Sequence, residues 1–367
     1  MSNVEIKSRA SFACGETLSV SVNDKDNNKL SGGAFTFTKC AYAGGKIDVM
    51  LACGIETPVQ NRRQGSVRAM FEYMHNYAAE NGALLGMLHP FLFSYYRKFG
   101  YERVADHLIV GFPLREIDFV PRKCEFAPYE KTKLPDMISI YEKFSRKRNL
   151  LLPRYDEGHY TGGGKQSYIY YDGGEPAAYV VLSGSKSLFI NNYVNTTLKV
   201  NELAYVSPDA LKKVFSFLRM FEGEYDRVEL YDCSLCPEVD MMLRNYVRTN
   251  YKILPDISAR VINTKKLLEV NGYPEKEGEF TVKVVDNLPT VNGTYRVSYG
   301  GGECEVKQTD GAADITLTAA PFTQIVCGYG NYNEYNAAYA DGVTVEHDAS
   351  DFFRAFPHVP TGVFEHF

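Results

Sequence analysis

Residues Thr57-Pro-Val-Gln-Asn-Arg-Arg-Gln-Gly-Ser-Val-Arg68 place three arginines and a glycine where an apolar run gives way to an amphipathic one. Such a junction suits an anion. A helix that starts just after a strand offers unpaired N–H groups and the positive end of its dipole to a phosphate. Gly65 has no Cβ to block the approach, and Arg62, Arg63 and Arg68 add charge around the same turn. Spacing alone leaves a second reading open, an ordinary helix start with basic residues in solvent.

The flanking elements must position this turn. Behind it, Ile47–Glu56 is rich in apolar residues and reads as a strand. Ahead, Met70, Phe71, Met74, Tyr77 and Ala78 recur at spacings of three and four, which predicts a helix over Ser66–Ala79. Thr17–Val22 and Ala34–Thr38 alternate polar and apolar residues around the polar run Asn23–Asn28, a hairpin pattern. Ala83–Leu88 adds a strand, so the order is strand, strand, strand, helix, strand: a mixed sheet with a crossover helix. A short aromatic helix over Phe91–Tyr101 follows, which Gly100 could terminate, and then a strand through Leu108–Phe112.

A second unit repeats this order. Met137, Ile140, Tyr141 and Phe144 form a helical face, and Ser167–Tyr171 and Ala177–Leu182 flank the turn Asp172-Gly-Gly-Glu175. Strand Glu202–Val206, helix Ala210–Phe221 and strand Arg227–Tyr231 follow. At the matching strand-to-helix junction the chain reads Ser207-Pro-Asp-Ala-Leu-Lys-Lys213, with no glycine and no paired arginines, so this unit is expected to support the first and help wall a substrate pocket. Gly162-Gly-Gly-Lys165 lacks the spacing of a phosphate loop, because His159 stands five before Gly164 and Gln166 follows Lys165. From about residue 260 the texture changes to repeated alternation over Phe280–Val284, Tyr295–Tyr299, Glu303–Val306 and Ile315–Ala319, with turns at Asn292-Gly293 and Gly300–Gly302. That pattern predicts an α+β region with an antiparallel sheet. The segment Ala355–Phe367 is too aromatic for a frayed tail, and its end is expected to be buried.

Bulk properties narrow the function classes. The 367 residues predict two or three domains. A net charge of −5, from 40 basic and 45 acidic side chains, gives no global footprint for nucleic acid. No apolar run reaches the ~20 residues of a membrane span, and Met1–Lys7 lacks the apolar core of a signal peptide, so a cytoplasmic protein is expected. Eight scattered cysteines fit reduced thiols, and Cys233-Ser-Leu-Cys236 has no second pair to make a metal site, so no metal is expected.

Together these residues resemble the GNAT acetyltransferases, and within them the enhanced intracellular survival type, related to aminoglycoside acetyltransferases. That type joins two GNAT-like domains to a sterol-carrier-like domain. The signature Arg/Gln-x-x-Gly-x-Gly/Ala stands here as Arg62-Arg-Gln-Gly65-Ser-Val67, with Val67 departing from it. Tyr95-Tyr-Arg-Lys-Phe-Gly-Tyr101 looks like the family's Tyr-x-x-Phe-Gly-Tyr element, and the chain ends on an aromatic residue as in that type. The resemblance spans nearly the whole sequence and is weakest at the start, where residues 1–16 are too few for the strand and helices that usually precede the hairpin.

The implied fold is α/β and α+β, with tandem GNAT-like domains (mixed sheets with flanking helices) and a C-terminal sterol-carrier-like α+β domain. The expected bounds are 1–118, 119–259 and 260–367. The resemblance also implies an acetyl-CoA-dependent N-acetyltransferase acting by direct attack of a primary amine. Ile55, Glu56 and Thr57 would pair through their backbone with the pantetheine arm, while Arg62, Arg63, Gln64, Gly65, Ser66, Val67 and Arg68 would form the pyrophosphate turn. Phe91 and Leu92 fall at the remaining cofactor contacts, Tyr96 at the general acid, and the carboxylate of Phe367 at the general base. A tyrosine with a reference pKa of about 10 suits a departing thiolate of about 8.5. A carboxylate of about 3.5 needs burial or a relaying water to act as a base, and its plainer role is to hold the substrate ammonium. Tyr95 and Tyr101 compete with Tyr96 for the acid, Glu56 is a second candidate base, and the histidines read as packing or surface residues, with His366 the one near the proposed base.

The expected acceptor is a small-molecule amine, an aminoglycoside as the resemblance suggests or a polyamine, and the resemblance implies homo-oligomers, hexamers among them. Two other functions stay open: a lipid or apolar-ligand binding protein with inactive GNAT domains, and a lysine acetyltransferase of a protein partner.

Overall fold

A computed structural model describes residues 3–186 and 196–367. In chain order its first strands are β1 (Asn3–Phe12), β2 (Gly15–Asn23), β3 (Lys29–Tyr42) and β4 (Gly45–Glu56), followed by helix α1 (Ser66–Glu80), β5 (Leu85–Leu88), helix α2 (Phe93–Tyr96) and β6 (Glu102–Arg103). Then come β7 (Asp106–Pro113), β8 (Phe126–Pro128), α3 (Leu134–Ser145), β9 (Gln166–Asp172), β10 (Glu175–Lys186), β11 (Thr196–Tyr205), α4 (Pro208–Leu218), β12 (Arg227–Leu230), α5 (Glu238–Met242) and β13 (Asn250–Pro255). The remainder is β14 (Ser258–Val261), α6 (Thr264–Glu269), β15 (Gly278–Val285), β16 (Gly293–Gly300), β17 (Glu303–Gln308), β18 (Ile315–Thr318), α7 (Ala319–Val326), β19 (Val343–Val345) and α8 (Ser350–Ala355).

The chain divides into two compact units, one of residues 1–105, 149–152 and 256–367, the other of 106–148 and 153–255. The first unit contains a seven-stranded sheet ordered β1-β2-β3-β4-β5-β14-β6 and a five-stranded sheet ordered β17-β16-β15-β18-β19. In the larger sheet the alternation of β2 sends Leu18, Val20 and Val22 into the core, and α1 buries Met70, Phe71, Met74 and Ala78 of the predicted stripe, with Tyr77 half-buried at its edge. Phe71 meets Phe35 edge-on at 6.0 Å. Burying one such ring contributes about 2–3 kcal/mol. Strand β14 differs from the expected order: it lies antiparallel between β5 and β6, pairing Ser258 with Leu88 and Val261 with Leu85. Four residues that include a serine and an arginine carry no strand pattern of their own, and the partner is far away in sequence.

The five-stranded sheet is antiparallel through β15, β16 and β17 and parallel between β15 and β18. Phe280, Val282, Val284, Tyr295, Val297 and Tyr299 form its buried face. These aromatics pack on one another and on α8, with Phe280 at 5.3 Å from Phe352 and Tyr273 stacked on Tyr299 at 4.9 Å.

The second unit is a seven-stranded sheet ordered β13-β7-β12-β11-β10-β9-β8. Strand β7, which follows the first tyrosine-rich helix in sequence, pairs here with β12 and β13. Its apolar run foretells a strand but not which sheet accepts it. The repeat otherwise follows the predicted order, since β11 runs parallel to β12 as β4 runs parallel to β5. Among the described residues no helix is long and apolar enough to cross a membrane.

Candidate active site

Strand β4 delivers the phosphate-like turn at an opening in the sheet. Its parallel pairing with β5 ends at Leu51↔Met87, yet β4 continues to Glu56. Between the pairs Ala34↔Cys53 and Gly32↔Glu56 the strand advances one residue more than β3 does, a bulge seated at Gly54, whose φ is +59°. A bulge bends the strand that carries it. The end of β4 therefore stands apart from β5 with backbone groups available to an extended ligand, which is the geometry of an added strand.

A single tight helical turn at Val59–Asn61 follows, then Arg63 and Gly65 in left-handed backbone at φ +63° and +79°. Gly65 is the N-cap of α1, and among the described residues no side chain caps that helix. A Cβ on Gly65 would meet nothing within 4 Å. The glycine thus supplies both the turn's handedness and an open approach to the N–H groups of the first helical turn.

Among the described residues no carboxylate lies within ion-pair distance of Arg62, Arg63, Arg68 or Lys98. Arg62 donates to the Thr57 carbonyl at 3.3 Å, Arg68 lies 5.7 Å over the Phe99 ring, and Lys98 lies 6.0 Å over Tyr95. Unneutralised positive charge beside a free helix N-terminus favours an anion.

A cleft of about 540 Å³ opens there. Nine residues of the predicted set line it: Ile55, Thr57, Arg62, Arg63, Gly65, Ser66, Val67, Arg68 and Phe91. Three do not. Glu56 points away to an ion pair with Lys29 at 2.5 Å, which holds its carboxyl below the ordinary range; Gln64 donates to its own turn at Gln60 O; and Leu92, half exposed, sits just before α2. Tyr95, Lys98 and Phe99 complete the lining, and they lie inside the tyrosine element itself. The i, i+4 spacing of Tyr95 and Phe99, whose rings stand 5.4 Å apart, is the sequence signal that could have found them.

The second unit is built differently at the matching junction. There Ser207 accepts from Ala210 N, Pro208 occupies the first turn, and Asp209 adds a negative charge. A helix start that is already capped and acidic repels an anion.

Tyr96 closes α2 and is buried, its ring meeting Tyr95 at 5.3 Å, Phe91 at 5.5 Å and Phe71 at 6.1 Å. Burial first, and Tyr95 second, push its hydroxyl up to about 12. It does not line the cleft, whereas Tyr95 does. Tyr101 is fully buried and shares a 3.2 Å hydrogen bond with His75.

The C-terminal segment folds back onto this unit. Phe367 packs partly buried, its ring 4.7 Å from that of His89, and the His366 ring lies 4.7 Å from the same imidazole, tilted by 38°. His89 follows β5 directly and bonds in two directions, through Nε2 to the carbonyl of Glu365 at 3.1 Å and through Nδ1 to Asp256 at 3.1 Å. His89 reads in sequence as a packing residue and Asp256 carries no signal, because the contact joins segments 167 residues apart.

Comparison with known proteins agrees with this architecture. Residues 22–104 match the family model described as acetyltransferase (GNAT) domain, and residues 264–360 the one described as sterol carrier protein domain. No curated protein matches the chain in sequence. A GCN5-related N-acetyltransferase from Anabaena variabilis superposes with a TM-score of 0.80 at 17% identity, covering 95% of this chain and 89% of that one. One from Kribbella flavida gives 0.75 at 15% identity, covering 95% and 87%. Eis1 from Mycobacterium abscessus gives 0.76 at 16% identity, covering 95% and 91%. At these identities the likeness is one of fold.

Proposed function

We propose that this chain, which carries a GNAT acetyltransferase domain and a C-terminal sterol carrier protein domain, transfers acetyl from acetyl-CoA to a primary amine. The observation that carries the reading is the cleft at the N-terminus of α1, which among the described residues has no side-chain cap and is rimmed by arginines without counter-ions. In this reading the backbone of Ile55–Thr57 aligns the pantetheine arm, and the N–H groups at Gly65–Arg68 with Arg62 and Arg63 hold the pyrophosphate. A backbone N–H near Thr57 steadies the oxyanion as the amine attacks the thioester carbonyl. The carboxylate of Phe367 receives or orients the amine's proton, and Tyr96 protonates the departing thiolate. A hydroxyl raised to about 12 stays protonated through the working range, so it is always ready to donate, although it is a weaker acid than a free tyrosine.

The test is release of free coenzyme A across polyamines, aminoglycosides and lysine peptides. We expect turnover with at least one class. Tyr96→Phe should lower kcat about a hundredfold with acetyl-CoA affinity unchanged, and Tyr95→Phe should stay near the parent. The reverse pattern would move the acid to Tyr95, and no release with any amine would refute the activity.

His89 acts in this reading as a positioning residue for the tail. Removing it in His89→Ala frees Glu365 and the rings of His366 and Phe367, and kcat should fall about tenfold or more, while the KM for acetyl-CoA stays unchanged. His89→Gln, which keeps one donor, should recover part of the loss. An unchanged kcat in His89→Ala would show that the tail holds its place without the histidine.

The sterol-carrier-like sheet favours no second reading as a lipid carrier, since its inward aromatics are packed on one another.

A further inference from the structure

Residues 149–152 belong to the first unit, although the chain on both sides of them belongs to the second. Leu150, Leu151 and Leu152 are buried, and Leu150 stands in left-handed backbone at φ +76°, a conformation that costs free energy at a leucine. Strain of this kind persists only where the surroundings over-determine it. Here Leu150 N donates to the Ala41 carbonyl at 2.7 Å and Ala41 N donates to the Leu151 carbonyl at 2.8 Å, so the segment is bound to the end of β3.

Asn149, just before the strained leucine, is buried at 5% exposure and bonds through both ends of its side chain and both backbone groups. Its Oδ1 accepts from Ala43 N at 2.9 Å, and its Nδ2 donates to the Cys327 carbonyl at 2.9 Å. The carboxamide cannot turn over, since one partner only donates and the other only accepts. Its backbone faces the C-terminal segment: Asn149 N donates to the Pro360 carbonyl at 2.9 Å, and Gly362 N donates to the Asn149 carbonyl at 3.3 Å. Thr361, buried between them, donates from its hydroxyl to the Val104 carbonyl at 2.8 Å. The side chain thus fixes Asn149 between the ends of β3 and α7, and its backbone fixes the C-terminal segment. The five residues that follow Gly362 reach at most about 17 Å when extended. A segment loosened at Gly362 would carry Phe367 over distances of that order.

Resting on the acetyl-transfer reading above, we infer that Asn149 is a positioning residue for the carboxylate of Phe367. It sets the base of the segment at Pro360–Gly362, and His89 sets its end at Glu365. A carboxylate that must meet the proton of an ammonium has to stand within hydrogen-bond reach, and a displacement of about 1 Å is enough to slow such a step about a hundredfold. The strained turn at Leu150 is kept because it delivers Asn149 to this place.

Kinetics and amide hydrogen exchange on the full chain test this, with acetyl-CoA as donor and the polyamines, aminoglycosides and lysine peptides of the release assay as acceptors. Asn149→Ala should lower kcat by about a hundredfold while the KM for acetyl-CoA stays within about twofold. Exchange over Val363–Phe367 should quicken by about tenfold or more, with the amides of α1 as slow as in the parent. Thr361→Val keeps the side chain's shape and removes its bond to Val104; it should move both readouts the same way by about threefold, and it carries the test if Asn149→Ala does not fold. In a chain extended by a few residues beyond Phe367 the free carboxylate is gone from that position, so adding Asn149→Ala should bring no further loss of kcat. Parent-like kcat or parent-like exchange in Asn149→Ala, or a further tenfold loss in the extended chain, would overturn the inference and leave the acetyl-transfer reading standing. A parent that releases no coenzyme A with any acceptor would overturn both.

Discussion

Appending a few residues after Phe367 is expected to lower acetyl transfer by about three orders of magnitude while acetyl-CoA affinity stays within about twofold. The extension turns the carboxylate of Phe367 into a peptide carbonyl, which can neither take the proton that the acceptor ammonium must lose before it attacks nor offset its charge. It leaves the donor cleft untouched, because none of the residues from Glu365 onward lines it. The His89 contacts pin the segment, so the added residues cannot simply slide past and put a new carboxylate in the same place. The measurement is kcat for the extended chain beside its calorimetric dissociation constant for acetyl-CoA. An extended protein that turns over like the parent would refute the carboxylate's role and shift attention to Glu56. That residue already spends its charge on Lys29.

Gly65→Asp should remove acetyl-CoA binding, with an expected loss of at least a hundredfold in affinity. The fold should tolerate the change. A Cβ there meets nothing within 4 Å, and aspartate at φ +79° costs about 1–2 kcal/mol, a modest part of a domain's stability. The carboxylate would cap α1 and neutralise the arginines, so it would stand where the pyrophosphate belongs. Gly65→Ala separates the two effects, since it adds the strain without the charge and should lose far less affinity. Thermal melting near the parent's, together with calorimetry showing no binding to Gly65→Asp, is the expected result. Parent-like binding by Gly65→Asp would return Thr57–Arg68 to an ordinary helix start.

Local pattern carried the elements well where a side chain's neighbours are close in sequence. The 3.6-residue stripe of α1, the alternation of β2 and β15 and the turns at Asp172–Glu175 and Gly300–Gly302 all appear in the structure as the chain implies. The glycine and arginines of the Thr57–Arg68 turn are legible for the same reason, because a turn of consecutive residues is written in one stretch of sequence. Residues within two or three positions of the motifs were harder to sort, and which side of β4 or α2 a residue faces separated Ile55 and Thr57 from Glu56, and Tyr95 from Tyr96.

By itself, then, the sequence determined a mildly acidic composition, a repeated strand–helix order, a turn rich in glycine and arginine and an aromatic final segment. Tertiary structure alone decided that β14 completes the first sheet, that β7 joins the second, that His89 and Asp256 grip the C-terminal segment and that Asn149 ties it to the ends of β3 and α7. Each of those is a pairing between segments distant in the chain. Periodicity reports which face of an element is apolar, but not which other element will cover it, because many partners could bury the same face at nearly the same free energy.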